Sequence, residues 1–176
     1  GETVLLISPD AAPLRLFATA GAAAPHVLDQ GSGDLGVRLE RFFTHALARH
    51  PWAIALGTDS PGMPASKLDE AIDALETSSA QAVFGPALDG GYYLLGVKAI
   101  APRMLGDVRW STSAALIDSE RALARAGLSS CRISAWFDVD EPHDLVRLTE
   151  LLQRREVTAP QTALVLETLK RRETLA

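Results

Sequence analysis

The sequence has one cysteine, no excess of positive charge and no long apolar run, and each shortage removes a class of protein. Cys131 has no second cysteine with which to form an internal disulfide. It lies in a strand-like segment, where core packing is its expected role, and such cysteine usage suits a reducing cytoplasmic compartment. Seventeen basic against twenty-two acidic side chains give a net charge of −5. That balance argues against a surface that tracks long nucleic acids and favours a small ligand. No apolar run approaches the roughly 20 residues a bilayer span needs, and no signal peptide is visible, so neither a membrane nor a nucleic acid is expected as partner. His26, His45, His50 and His143 have no zinc spacing with Cys131 or one another and are assigned to the surface. Neither Ser60 nor Ser111 has a histidine beside it to suggest a serine hydrolase.

What is present is a chain of 176 residues with a 47% hydrophobic fraction, enough for a single domain with a continuous core. Short apolar runs alternate with longer stretches of helical spacing, which predicts parallel β/α layering. Val4 to Ile7 reads as a strand, Asp10 to Thr19 as a turn with a short helix, and Ala20 to Gly33 as a loop. Leu35, Leu39, Phe43 and Leu47 recur every fourth residue, predicting a helix over 34–50 with Asp34 as N-cap and Pro51 at its end. Trp52 to Leu56 is the next strand, and Leu68, Ala71, Ile72 and Leu75 line one face of the helix after it. Ala82 to Phe84 is a strand broken by Gly85-Pro86, and Tyr92 to Val97 follows as another. A helix ends near Gly127, Ser130 to Phe137 is the last strand, and a helix carrying Leu145, Leu148 and Leu152 comes next. Gln161 to Lys170 reads as a final helix.

Three acidic loops fall at strand ends, where open α/β sheets bind their ligands. Asp59, in Gly57-Thr58-Asp59-Ser60-Pro61, sits on a turn stiffened by glycine and proline. One carboxylate on a stiff loop suits Mg²⁺, and it equally suits a cap for the following helix. Asp138 and Asp140 follow the last strand, with Asp140 the expected second ligand and Asp138 the spare. Each could instead cap the helix at Pro142. Asp89-Gly90-Gly91-Tyr92-Tyr93 offers bare backbone against which a sugar or phosphate could lie, and it is also a standard hairpin signal.

Four blocks occur in the order and approximate spacing of one family: Gly57-Thr58-Asp59-Ser60-Pro61, Gly85-Pro86-Ala87-Leu88-Asp89-Gly90-Gly91-Tyr92-Tyr93-Leu94-Leu95-Gly96, Trp110-Ser111-Thr112, and Asp138-Val139-Asp140-Glu141-Pro142-His143-Asp144-Leu145. Together they resemble the bacterial glycosyltransferase-like proteins known as radical-SAM-associated transferases, over about Val4 to Leu148. That family is similar in fold to nucleotide-diphospho-sugar transferases and, more distantly, to molybdopterin and coenzyme guanylyl- and cytidylyltransferases. The resemblance implies a three-layer α/β/α, GT-A-like and Rossmann-like fold with a mostly parallel central sheet. It implies Mg²⁺ or Mn²⁺ on Asp59 and Asp140, with Asp89 as the catalytic or acceptor-orienting carboxylate. Gly90, Gly91, Tyr92, Trp110 and Thr112 are then expected on the substrate side, with Trp110 either stacking on a sugar or base or plugging the core. Arg38, in a segment that resembles the family's Gly-Asp-Leu-Gly stretch, is either a phosphate contact or a surface residue.

Two departures stand out. The family reads Asp-Thr-Pro-Glu-Asp after the last strand, whereas Glu141 stands in place of the capping threonine and His143 in place of an acid, which predicts a weaker cap. The family also begins with a strand and a loop bearing glycine, lysine and arginine, and nothing like it precedes Val4. The expectation is a chain that starts at the second strand, either incompletely represented or completed by pairing with another chain as a homodimer. The function implied is a metal-dependent transferase that uses a nucleotide-activated donor, with a glycosyltransferase acting on a small acceptor as the leading form. A nucleotidyltransferase joining a nucleoside triphosphate to a phosphorylated acceptor is the close alternative. A non-catalytic binding or partner subunit is the third.

Overall fold

Asp34 starts the first helix as its spacing predicts: its carboxylate accepts the Val37 N–H at 2.9 Å, satisfying one of the donors a helix start leaves unpaired. This cap belongs to a computed structural model that describes residues 4–7 and 26–173. The strands are β1 (Val4–Ile7), β2 (His26–Asp29), β3 (Ala53–Leu56), β4 (Ala82–Pro86), β5 (Tyr92–Val97) and β6 (Ser130–Arg132). The helices are α1 (Leu35–Leu47), α2 (Ala65–Thr77), α3 (Ala115–Arg125), α4 (Pro142–Gln153) and α5 (Pro160–Glu173). The turn and short helix expected over 10–19 lie outside the described residues.

β1 and β2 pair in parallel as one two-stranded sheet, and the other four strands form a second sheet in the order β3-β5-β4-β6. The expectation of a mostly parallel sheet is corrected here. β5 runs antiparallel to both β3 and β4, and only β4 and β6 are parallel in the larger sheet. The cause is the link between β4 and β5, which is too short for a crossover and can join only antiparallel neighbours. β2 falls inside the segment expected to be a loop, because His-Val-Leu-Asp carries too brief an apolar pattern to stand out from its glycine- and alanine-rich surroundings. β4 is not broken at Gly85-Pro86 but passes through them with a register shift. The last strand is shorter than expected. Beyond Arg132 the chain keeps alongside β4 through the Ile133 N–H to Phe84 and Trp136 N–H to Pro86 bonds, at 2.9 and 3.0 Å, and a parallel bridge between Ala87 and Trp136.

Alternation along the strands sorts the core into two faces. Ala82, Phe84, Leu95 and Val97 meet Phe43 of α1 and Leu116, Ala122 and Leu123 of α3. Val83 and Leu94 face the other way, onto Ala71 and Leu75 of α2, with Cys131 packed partly buried at the margin. The result is three layers, with helices on both faces of the sheet. Phe43, Phe84 and Leu123 are 0% exposed, and each such side chain contributes about 1.5–3 kcal/mol through burial. A third cluster of Phe137, Leu148 and Val157 seats α4 against the chain leaving β6.

Candidate active site

The two acidic loops after β3 and β6 are tied by backbone: the Val139 N–H donates to the Asp59 carbonyl at 2.9 Å. Gly57 fixes the first loop on the sheet by donating its N–H to the Tyr93 carbonyl at 2.8 Å. Any side chain at Gly57 would collide with the Asp59 carboxylate, 2.7 Å from where its Cβ would lie. Farther along, Gly62 (φ +80°) turns the loop against Val157. At α4 the cap differs from expectation. The side-chain bonds come from Asp144, which accepts the Glu141 and Asp140 N–H groups at 3.0 and 3.3 Å, so the loss of threonine at Glu141 leaves the helix start satisfied.

The third acidic loop is a hairpin turn that also delivers a carboxylate, so the two readings of Asp89 are compatible. Its Oδ1 accepts the Gly91 N–H at 2.7 Å, while the Ala87 N–H bonds the Gly91 carbonyl at 3.0 Å across the turn. Gly90 has φ +96° and passes so close to Ser113 that a Cβ would come within 2.3 Å of its carbonyl oxygen. The Gly90 carbonyl accepts the Leu116 N–H at 3.1 Å, docking the turn on the start of α3.

These three loops bring four carboxylates to one end of the sheet. Asp89, Asp138 and Asp140 each offer an oxygen within 4.8 Å of the others. Asp59 is close enough to act on the charges of Asp138 and Asp140. Loss of water raises the Asp138 carboxyl above its ordinary value, a bond from its own backbone N–H opposes this, and Asp89, Asp140 and Asp59 push it further up. Asp140 is raised by partial desolvation and then by Asp59 and Asp89, with smaller pushes from Asp144 and Glu141. Among the described residues no basic side chain offsets this charge at either residue. Clustered, uncompensated carboxylates of this kind fit a divalent cation that takes oxygen ligands. Asp138, expected as the spare, is a full member of the group.

The remaining expected site residues are placed as follows. Tyr92 and Trp110 form an edge-to-face pair with ring centroids 6.3 Å apart, and Tyr92 meets Phe84 at 5.1 Å. The Tyr92 hydroxyl reaches buried Ser119 at 3.3 Å, and burial pushes its phenol up. Trp110 is half-buried, with its indole Nε1 enclosed beside Gly36 and without a hydrogen-bond partner among the described residues. Thr112 bonds the Arg109 carbonyl at 2.7 Å and the Ala114 N–H at 3.2 Å, shaping the turn into α3. Arg38 holds the loop before α1 through the Gly33 carbonyl at 2.8 Å and the Gln30 side chain at 3.4 Å. Arg41 grips the same loop at the Gln30 and Ser32 carbonyls.

This arrangement of helices about a mixed sheet is the fold of a crystal structure described as a "putative nucleotide-diphospho-sugar transferase" from Desulfovibrio desulfuricans G20. The match covers 97% of this chain and 76% of that one, with a TM-score of 0.77 and 24% sequence identity. It establishes the architecture. The sequence profile of a family described as "Uncharacterized protein conserved in bacteria (DUF2064)" matches residues 1–112, more than half of the chain, and the protein belongs to that family. Among curated proteins nothing matches. No helix among the described residues is long and apolar enough to cross a membrane.

Proposed function

We propose that the protein is a metal-dependent transferase that uses a nucleotide-activated donor, a nucleotide sugar in the leading form, and acts on a small acceptor. The observation that carries this reading is the convergence of Asp59, Asp89, Asp138 and Asp140 from three separate loops at one end of the sheet. The blocks that resemble radical-SAM-associated transferases, and the fold shared with the Desulfovibrio structure, support it. With one cysteine and no internal disulfide, the enzyme is assigned to the reducing cytoplasm.

Asp138 and Asp140 would hold Mg²⁺ or Mn²⁺, with Asp59 beside them. Bound there, the cation would supply charge neutralisation for a leaving diphosphate. Magnesium commonly uses one or two protein carboxylates, so a group of four leaves at least two that are not ligands, and one of these is open to another task. Asp89 takes it. One of its oxygens is fixed by the Gly91 N–H, and the other is left to orient an acceptor hydroxyl and receive its proton.

The test is calorimetric titration with a panel of nucleotide sugars and nucleoside triphosphates, with and without Mn²⁺, on the wild type, D59A and D140A. Metal-dependent binding that is lost in both variants is expected. Equal binding in all three proteins overturns the metal assignment. Release of a nucleoside diphosphate from a nucleotide sugar identifies glycosyl transfer, whereas pyrophosphate from a triphosphate replaces it with nucleotidyl transfer.

A further inference from the structure

Beside the carboxylates lies a cavity of about 340 Å³, at the lower end of the range typical of small-molecule pockets. Its apolar wall is made by Leu88, Trp136, Phe137, Leu151 and Val157. Two of these residues directly precede site carboxylates in the chain, Leu88 before Asp89 and Phe137 before Asp138, so the pocket lies next to two of the acidic loops. Leu88 is 58% exposed, a large apolar side chain kept at the rim of an otherwise polar loop.

The lining also contains one charge of each sign, Arg147 and Glu156, which are not paired with each other. The Arg147 guanidinium stacks over Phe137, 4.5 Å from the ring centroid, and has no hydrogen-bond or ion-pair partner among the described residues. Stacking holds the planar fork in place while leaving its N–H edge free, the state in which arginine best takes an anionic oxygen pair. With Glu156 as the opposite charge, a bound anion has one favourable orientation, towards Arg147.

We infer that this pocket is the acceptor subsite, and that the acceptor is an organic anion with an apolar body. The anionic group rests on Arg147, the body lies against Trp136 and Phe137, and the hydroxyl to be modified points to Asp89. The inference rests on the transferase reading for the word acceptor, but the pocket's preference for such an anion stands independently of it.

The probes are phenyl phosphate and benzoate, titrated into the full chain in the presence of EDTA so that no cation recruits them to the carboxylates. Binding is followed by the NMR shift of the Trp136 indole N–H, assigned with W136F. Saturable shifts are expected for at least one probe, and the stronger of the two tells whether the anion is phosphate or carboxylate. R147M keeps the stem over Phe137 but removes the fork, and should weaken binding at least tenfold, with R147K intermediate. Neither variant should change metal-dependent nucleotide binding measured in parallel. Absence of any shift in the wild type, or equal affinity in R147M, overturns the subsite. If nucleotide binding fails while the probe still needs Arg147, the transferase reading falls and the anion pocket remains.

Discussion

The Val139 amide donates to the carbonyl of Asp59 at 2.9 Å, and this one bond joins loops that leave opposite edges of the four-stranded sheet. It carries the Asp138-Val139-Asp140 segment across the strand ends, so that acids about eighty residues apart in sequence face one space. Val139→Pro removes the donor. Stability should fall by about 1 kcal/mol, with a larger relative loss in Mn²⁺ affinity as the loops separate. Thermal unfolding and calorimetry on the same preparation separate the two effects, and unchanged Mn²⁺ affinity would show that the tie does not position the carboxylates.

The acidic group sets a pH dependence with a definite sign. Asp138 and Asp140 are raised in the folded protein, so the folded state binds protons more tightly than the unfolded state at these positions. Their contribution therefore favours folding at low pH and is lost as pH rises from the ordinary carboxylate value through the raised ones. Without metal, D140N should be more thermostable than the wild type at pH 7, and the gap should close near pH 4. A gap that stays constant across this range would contradict the electrostatic account. Asp118 works in the opposite direction. Its bonds to Arg109 hold its carboxyl at about 2, so that contribution is present above the ordinary value and disappears as pH falls through about 2.

Gly90 combines two demands, a left-handed φ of +96° and contact with the Ser113 backbone at a distance no Cβ tolerates. Gly90→Ala should cost about 2 kcal/mol or more, read as a lowered unfolding midpoint in urea. A loss below about 0.5 kcal/mol would mean that the turn and the start of α3 can separate freely.

The Tyr93 hydroxyl donates to the Ser134 carbonyl at 2.9 Å from a side chain only 2% exposed. Burial and the Glu70 charge push its phenol up to about 12, so it stays a donor across the working range. Tyr93→Phe should lower stability by about 1 kcal/mol without altering nucleotide binding. Reduced nucleotide binding at unchanged stability would move Tyr93 into the site.

Much of the local structure was legible because its signals are local. The four-residue spacing of Leu35 to Leu47, the Asp34 cap and the glycine beyond α3 are read within one or two turns. Strand direction was not legible in the same way. β5 looks like any buried strand, and only the short span from Ala87 to Gly91 shows that it must return antiparallel. The acidic loops could be placed at strand ends, but which carboxylates meet depends on the crossing made by Val139, a tertiary bond with no pattern in sequence. The reciprocal cap supplied by Asp144 is a back-bond to the Glu141 N–H, and an acid three residues beyond a non-threonine cap is a weak signal in sequence. Arg147 carries no local signal either, since its place is defined by stacking on Phe137, a ring ten residues earlier.

Strand alternation puts the adjacent tyrosines into opposite layers, Tyr92 among the residues packed with α1 and α3 and Tyr93 among those packed with α2. One hydroxyl is held by Ser119 of α3 and the other by Ser134 beyond β6. A strand riveted on both sides cannot loosen towards one layer alone. Amide protons from Tyr93 to Leu95 should therefore exchange with solvent only when the whole molecule opens. The floor beneath the carboxylates is thus tied to both layers at once, and whatever ordering a ligand demands falls on the loops above it.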